Sequence, residues 1–158
     1  MSFQINSLVP ELWCSDFQVS LDFYTTILGF EVAQRRANDK HAYLSLQGSQ
    51  IMIAWWEQDG SWEPWFPATN EPPPYGRGIN LQFLVNNVRD IHDAVTRANI
   101  QPFLPMYTSS VWRTDRMDER TQFMVLDPDG YLLRFSQVDA DRPIAASDIE
   151  KLERVHSK

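Results

Sequence analysis

The segment LVPELWCSDFQVSLDFYTTILGFEV (residues 8–32) decides the fold, because most of it is written again 71 residues later as INLQFLVNNVRDIHDAV (residues 79–95). Leu8 falls on Ile79, Trp13 on Leu84, Phe17 on Val88 and Tyr24 on Val95. In each copy an apolar run leads to a capping residue and then to apolar positions at helical spacing. In the first copy Ser15 opens a capping box with Gln18. Phe17, Leu21, Tyr24 and Leu28 follow, and Gly29 stops the turn, which predicts a strand over Ile5–Cys14 and a helix over 16–28. In the second, Ile79–Val85 reads as a strand and Asn87 caps a helix carrying Val88, Ile91, Val95 and Ala98.

Three further strands follow each helix. Phe30–Ala37, Ala42–Gln47 and Gln50–Trp56 are broken at Asn38-Asp39 and Gly48-Ser49. Pro102–Met106, Thr121–Leu126 and Tyr131–Gln137 include the turn Asp127-Pro128-Asp129-Gly130. The chain therefore reads as α+β, with βαβββ written twice in one domain over 1–158. Repeat one covers about 5–56, a Trp/Pro-rich loop 57–78, repeat two about 79–137, and a tail helix 147–156 introduced by Ser147 and Glu150. The free face of each sheet must be buried by the other half, by a partner chain or by a ligand, and two cupped sheets facing each other would enclose a hollow within one chain or between chains.

Composition narrows the function. The 158 residues carry a net charge of −7 and a single cysteine, Cys14. An acidic chain without a basic face argues against nucleic acid. The longest apolar run, Ile51–Trp56, is too short for a membrane span, and MSFQINSLVPE has the features of no secretory signal, so a cytoplasmic location is expected. A lone cysteine excludes an internal disulfide, and Cys14 reads as a buried, inert thiol. Four of the six tryptophans, Trp55, Trp56, Trp62 and Trp65, lie within eleven residues. Trp62, Trp65 and Phe66 fit a lid over the hollow, a dimer contact or a small satellite core. His41, His92 and His156 read as solvated or locally bonded, and Arg113, Arg116 and Arg120, interleaved with acids, as a solvated loop.

The stretches 8–32, 76–95 and QFMVLDPDGYLLRFSQ (122–137) resemble the vicinal oxygen chelate superfamily of glyoxalase I, extradiol dioxygenases, fosfomycin-resistance enzymes and bleomycin resistance proteins. Its enzymes place His or Glu metal ligands on the inward face. Carried over by spacing, those positions fall on Val9, seven residues before Asp16, on its repeat partner Asn80, on Arg134, four residues past Gly130, and near Ala54. Such a set is no donor set for a divalent cation. The resemblance therefore points to the bleomycin resistance branch: no metal, no cofactor, no catalytic residue, and a homodimer holding a flat small molecule, cationic ones included. The alternative is a lyase, isomerase or dioxygenase with displaced ligands, Glu11 and His41 being the recruits. Strand parity puts Glu11 and Trp13 on the face of Val9, and Gln82 on that of Asn80. An ion pair between Glu11 and Arg134 is expected inside the hollow, either as a plug or in contact with ligand. Asn80 and Gln82 lie around it, and Trp13, Trp56 and Trp112 are the stacking surfaces.

Overall fold

The computed structural model describes residues 4–35, 40–55, 73–145 and 148–149. Repeat one runs β1 (Glu11–Cys14), α1 (Phe17–Asp22), β2 (Glu31–Arg35), β3 (His41–Leu46) and β4 (Ser49–Trp55). Repeat two runs β5 (Asn80–Leu84), α2 (Val88–Arg97), β6 (Leu104–Trp112), β7 (Arg116–Leu126) and β8 (Leu132–Pro143). Each makes a four-stranded mixed sheet with the same topology, β1-β4-β3-β2 and β5-β8-β7-β6. In both, the first strand runs parallel to the last. This is the expected α+β architecture of two βαβββ repeats.

Details differ from the sequence reading for physical reasons. The ladder of β1 begins only at Glu11, after Pro10, whose missing N–H cannot extend it. The cap of α1 is Asp16 rather than Ser15: its carboxylate accepts from the backbone N–H of Gln18 and Val19. After Asp22 the helix widens into a π-helical turn, Phe23–Ile27, closed by Leu28 N–H on the Phe23 carbonyl. Asn87 caps α2 as expected. The polar stretch around Trp112 is not a loop. It pairs as a long hairpin, Trp112 opposite Met117 and Ser109 opposite Arg120. Trp56, the loop residues Trp62, Trp65 and Phe66, His156 and most of the expected tail helix, Ser147 and Glu150 included, lie outside the described residues.

One core joins the repeats. Leu12, Cys14, Ile51, Ile53 and Leu44 on the first sheet, and Phe83, Phe123, Leu133 and Phe135 on the second, are buried with Phe17, Leu21, Val88 and Val95 of the helices. Phe30 and Phe83 meet edge to face, centroids 5.3 Å apart. The repeats also exchange backbone caps. Ser15 N–H donates to the Asp129 carboxylate at 2.9 Å, and Asn86 N–H to the Gln47 side-chain oxygen at 2.7 Å. Ser15 and Asn86 are related by the 71-residue repeat, and Gln47 and Asp129 each precede a turn glycine of positive φ. Each repeat's last hairpin turn thus ties down the other's helix start, a pseudo-twofold arrangement. The helix sides of both sheets share that core, and the opposite face of each sheet, the inward face of the sequence reading, stays open, with Glu11, Asn80 and Gln82 exposed on it.

Candidate binding site

Alternation fixes what the inner faces carry. On β1, Leu12 and Cys14 enter the core, so Glu11 and Trp13 face inward. Cross-strand register extends this into rows. In the first sheet Glu11 lies beside Met52 and Tyr43, and Trp13 beside Ala54 and His41. In the second, Asn80 lies beside Leu132 and Leu126, Gln82 beside Arg134 and Met124, and Leu84 beside Ser136, Gln122 and Tyr107. Glu11 and Trp13 thus lie on the open face of the first sheet, and Asn80, Gln82 and Arg134 on that of the second.

Register also corrects one alignment. Gln82 is the repeat partner of Glu11; Gln82 pairs with Arg134 and Glu11 with Met52. The inward residue equivalent to Arg134 is Met52, one row from Ala54. The four positions where enzymes of the resembling superfamily hold a metal are thus Val9, Met52, Asn80 and Arg134. An aliphatic group, a thioether, an amide and a guanidinium do not fit a hard or borderline cation, and the guanidinium repels one. Among the described residues no group of three His, Cys, Asp or Glu side chains is placed to hold a metal.

The expected ion pair is not formed. The Glu11 carboxylate lies 3.8 Å from Nε2 of His41, a buried residue. Among the described residues Arg134 has no carboxylate partner, and its Nε is buried without a hydrogen bond. Parity gives a side chain's face but not its reach across the hollow, so His41, inward on a strand directly bonded to β4, reaches Glu11 first. The signal was available: His41 shares parity with Tyr43 and opposes Ala42, Leu44 and Leu46. Its ring stands 5.3 Å from that of Tyr43, so Trp13, His41 and Tyr43 give the first sheet a largely aromatic inner face. Trp112 does not join it. Its register with Met117 places it on the face of Met106 and Thr108, opposite that of Ser109 and Arg120. Trp55 turns to the helix side, its indole N–H donating to the Ser15 carbonyl and Lys40 lying over its ring.

Two groups of the sequence reading settle as structural. Cys14 is buried, its thiol donating to the Ala54 carbonyl at 3.2 Å, and burial pushes its pKa up to about 12. The arginine-rich segment is a charge cluster. Arg113 and Arg120 both reach the fully buried Asp118 at 2.6 Å, and the Arg120 hydrogen bond holds that carboxylate below its usual range.

The model of the glyoxalase/bleomycin resistance protein/dioxygenase superfamily matches residues 4–135. The chain belongs to that superfamily. Solved structures agree on the fold. A virulence protein, STM3117, from Salmonella typhimurium is 21% identical, with a TM-score of 0.58 over 85% of this chain and 99% of that one. TioX from Micromonospora sp. ML1 is 19% identical, TM-score 0.62, over 84% and 98%. A lactoylglutathione lyase from Agrobacterium tumefaciens is 13% identical, TM-score 0.53, over 84% and 95%. A comparison with curated proteins gives no match. Proteins of this fold thus carry very different names, and the inner face has to carry the functional argument. No helix among the described residues is long and apolar enough to cross a membrane.

Proposed function

We propose that this superfamily member is a binding protein that takes a small planar, aromatic molecule against the open faces of its sheets, in a cup closed within one chain or between the chains of a dimer, without a metal. The observation that carries the reading is the identity of the four inward positions: Val9, Met52, Asn80 and Arg134 offer contact and hydrogen bonds but no electrophile. The surroundings support it. Trp13, His41 and Tyr43 give one wall flat rings. Leu84 and Leu126 leave half-exposed apolar surface on the other, around the polar Asn80, Gln82 and Arg134. Apolar walls with a few convergent polar groups are how small-molecule pockets are built. Sequestration by such a site needs affinity and copy number only, as in bleomycin resistance proteins, and by the same analogy the working form is a homodimer in the cytoplasm.

Titration of tryptophan fluorescence with planar aromatic drugs, bleomycin included, tests the proposal. Quenching that saturates in the micromolar range, weakened by Trp13→Ala and by Glu11→Ala, is expected. Silence of every probe at high micromolar concentration sinks it. Sedimentation equilibrium tests the dimer.

The approach of Glu11 to His41 favours one second reading, an enzyme of the same superfamily with displaced ligands. Two donors fall short of the three protein ligands a catalytic zinc normally has. Elemental analysis of protein purified without added metal discriminates: stoichiometric zinc, iron, nickel or manganese selects the enzyme.

A further inference from the structure

Arg134 stands at the middle of the inner face of the second sheet, in the row Gln82–Arg134–Met124. Its Nε is buried and has no hydrogen-bond partner. Among the described residues no carboxylate pairs with it, and the acid expected to do so, Glu11, lies by His41 on its own sheet. Two residues further along the same strand, and so on the same face, the wholly buried Ser136 hydroxyl also lacks a partner. A third buried donor on this face, Arg120 Nε, is unbonded too, but that guanidinium is already paired with Asp118 at 2.6 Å. Arg134 differs in having no counter-charge among the described residues.

Arg134 as a whole is half-buried, but its Nε–H is withdrawn from water without an acceptor, and an arginine cannot shed that proton, so the unmade bond is a cost that a ligand acceptor would remove. The rows around it, Leu132 with Leu126 on one side and Leu84 on the other, provide apolar surface rather than an acid. We infer that Arg134 is the docking point for a carboxylate on the ligand, with the Ser136 hydroxyl as a neighbouring donor. A planar guanidinium meets a carboxylate through two parallel hydrogen bonds, which fixes orientation as well as charge. The net charge of −7 favours cations at long range, so anion selection here is local to this one side chain. The inference rests on the binding reading above and narrows its ligand to a planar molecule bearing a carboxylate.

Isothermal titration of the full chain with 2-naphthoate and with its uncharged analogue 2-naphthamide, at equal ionic strength, tests it. Wild type is expected to bind the carboxylate at least about tenfold more tightly than the amide. Arg134→Gln is expected to abolish that preference by weakening the carboxylate at least about tenfold more than the amide, and Arg134→Met to do the same should the glutamine variant fold poorly. Since no partner is lost, neither variant is expected to melt below wild type. Equal affinity of wild type for the two probes overturns the inference and leaves the binding reading standing. A preference that survives both variants does the same. Failure of wild type to bind either probe overturns both.

Discussion

A buried side chain is best understood by what its polar atom finds. Tyr24 is wholly buried and its hydroxyl donates to Asp127 at 2.8 Å. Tyr24→Phe leaves that carboxylate oxygen without its donor and is expected to lower unfolding stability by about 1–3 kcal/mol in urea; an unchanged midpoint speaks against the bond. Cys14 finds a carbonyl and an apolar shell, and its pKa of about 12 leaves almost no thiolate at pH 8. The expected outcome is no reaction with a chromogenic disulfide reagent in the native state and one thiol released after unfolding in guanidinium. Rapid native labelling contradicts the burial. The sequence showed Cys14 to be core, since it shares parity with Leu12. It did not show Glu11 meeting His41: parity tells a face, whereas the meeting depends on register between β1, β3 and β4, which no local pattern encodes.

Among the elements, the turn between β7 and β8 does the most to hold the repeats together. Asp127 accepts from the backbone N–H of Asp129 and Tyr131 within the turn, while Asp129 reaches Ser15 and Ser20 of the other repeat. Gly130, at φ +86°, passes so close to Pro74 that any Cβ would collide with it, so Gly130→Ala is both strained and crowded. Burial raises the Asp127 pKa to about 6, against the pull of these hydrogen bonds, from an ordinary 3.8. The folded form therefore holds its proton more tightly than the unfolded one. Its contribution to stability is full below about pH 4 and is lost as pH rises through 6, a change of about 3 kcal/mol. Asp127→Asn keeps an acceptor and removes the titration. Unfolding free energies of wild type and variant, from urea titrations between pH 4 and 7, should diverge by about 2 kcal/mol of that change, wild type falling; parallel curves contradict the assignment. The turn, both helices and the order of strands were legible because their signals are local: caps, helical period, DPDG. The lengths of β6, β7 and β8 were not. Their outer halves, Ser109–Asp118 and Val138–Pro143, mix polar and apolar residues on both faces, so no alternation marks them, and only pairing makes them strands.

At the scale of the molecule, the duplication visible in the sequence becomes a mutual dependence. Neither sheet covers its own helix side alone: Phe83 of the second repeat packs on Phe30 of the first, and each repeat's hairpin turn caps the strand–helix junction of the other. The open face of each sheet keeps its shape only while that shared core holds. This predicts that the repeats unfold together. Five of the six tryptophans precede residue 66, so fluorescence reports chiefly on the first half, whereas far-UV dichroism reports on both. Phe135→Leu trims a fully buried ring in the second repeat and is expected to cost on the order of 1–2 kcal/mol. With a urea slope of about 1–3 kcal/mol per molar, the midpoint should fall by roughly half to one molar, identically by both probes and in a single step. A fluorescence transition that stays in place while the dichroism moves would mean that the halves fold separately.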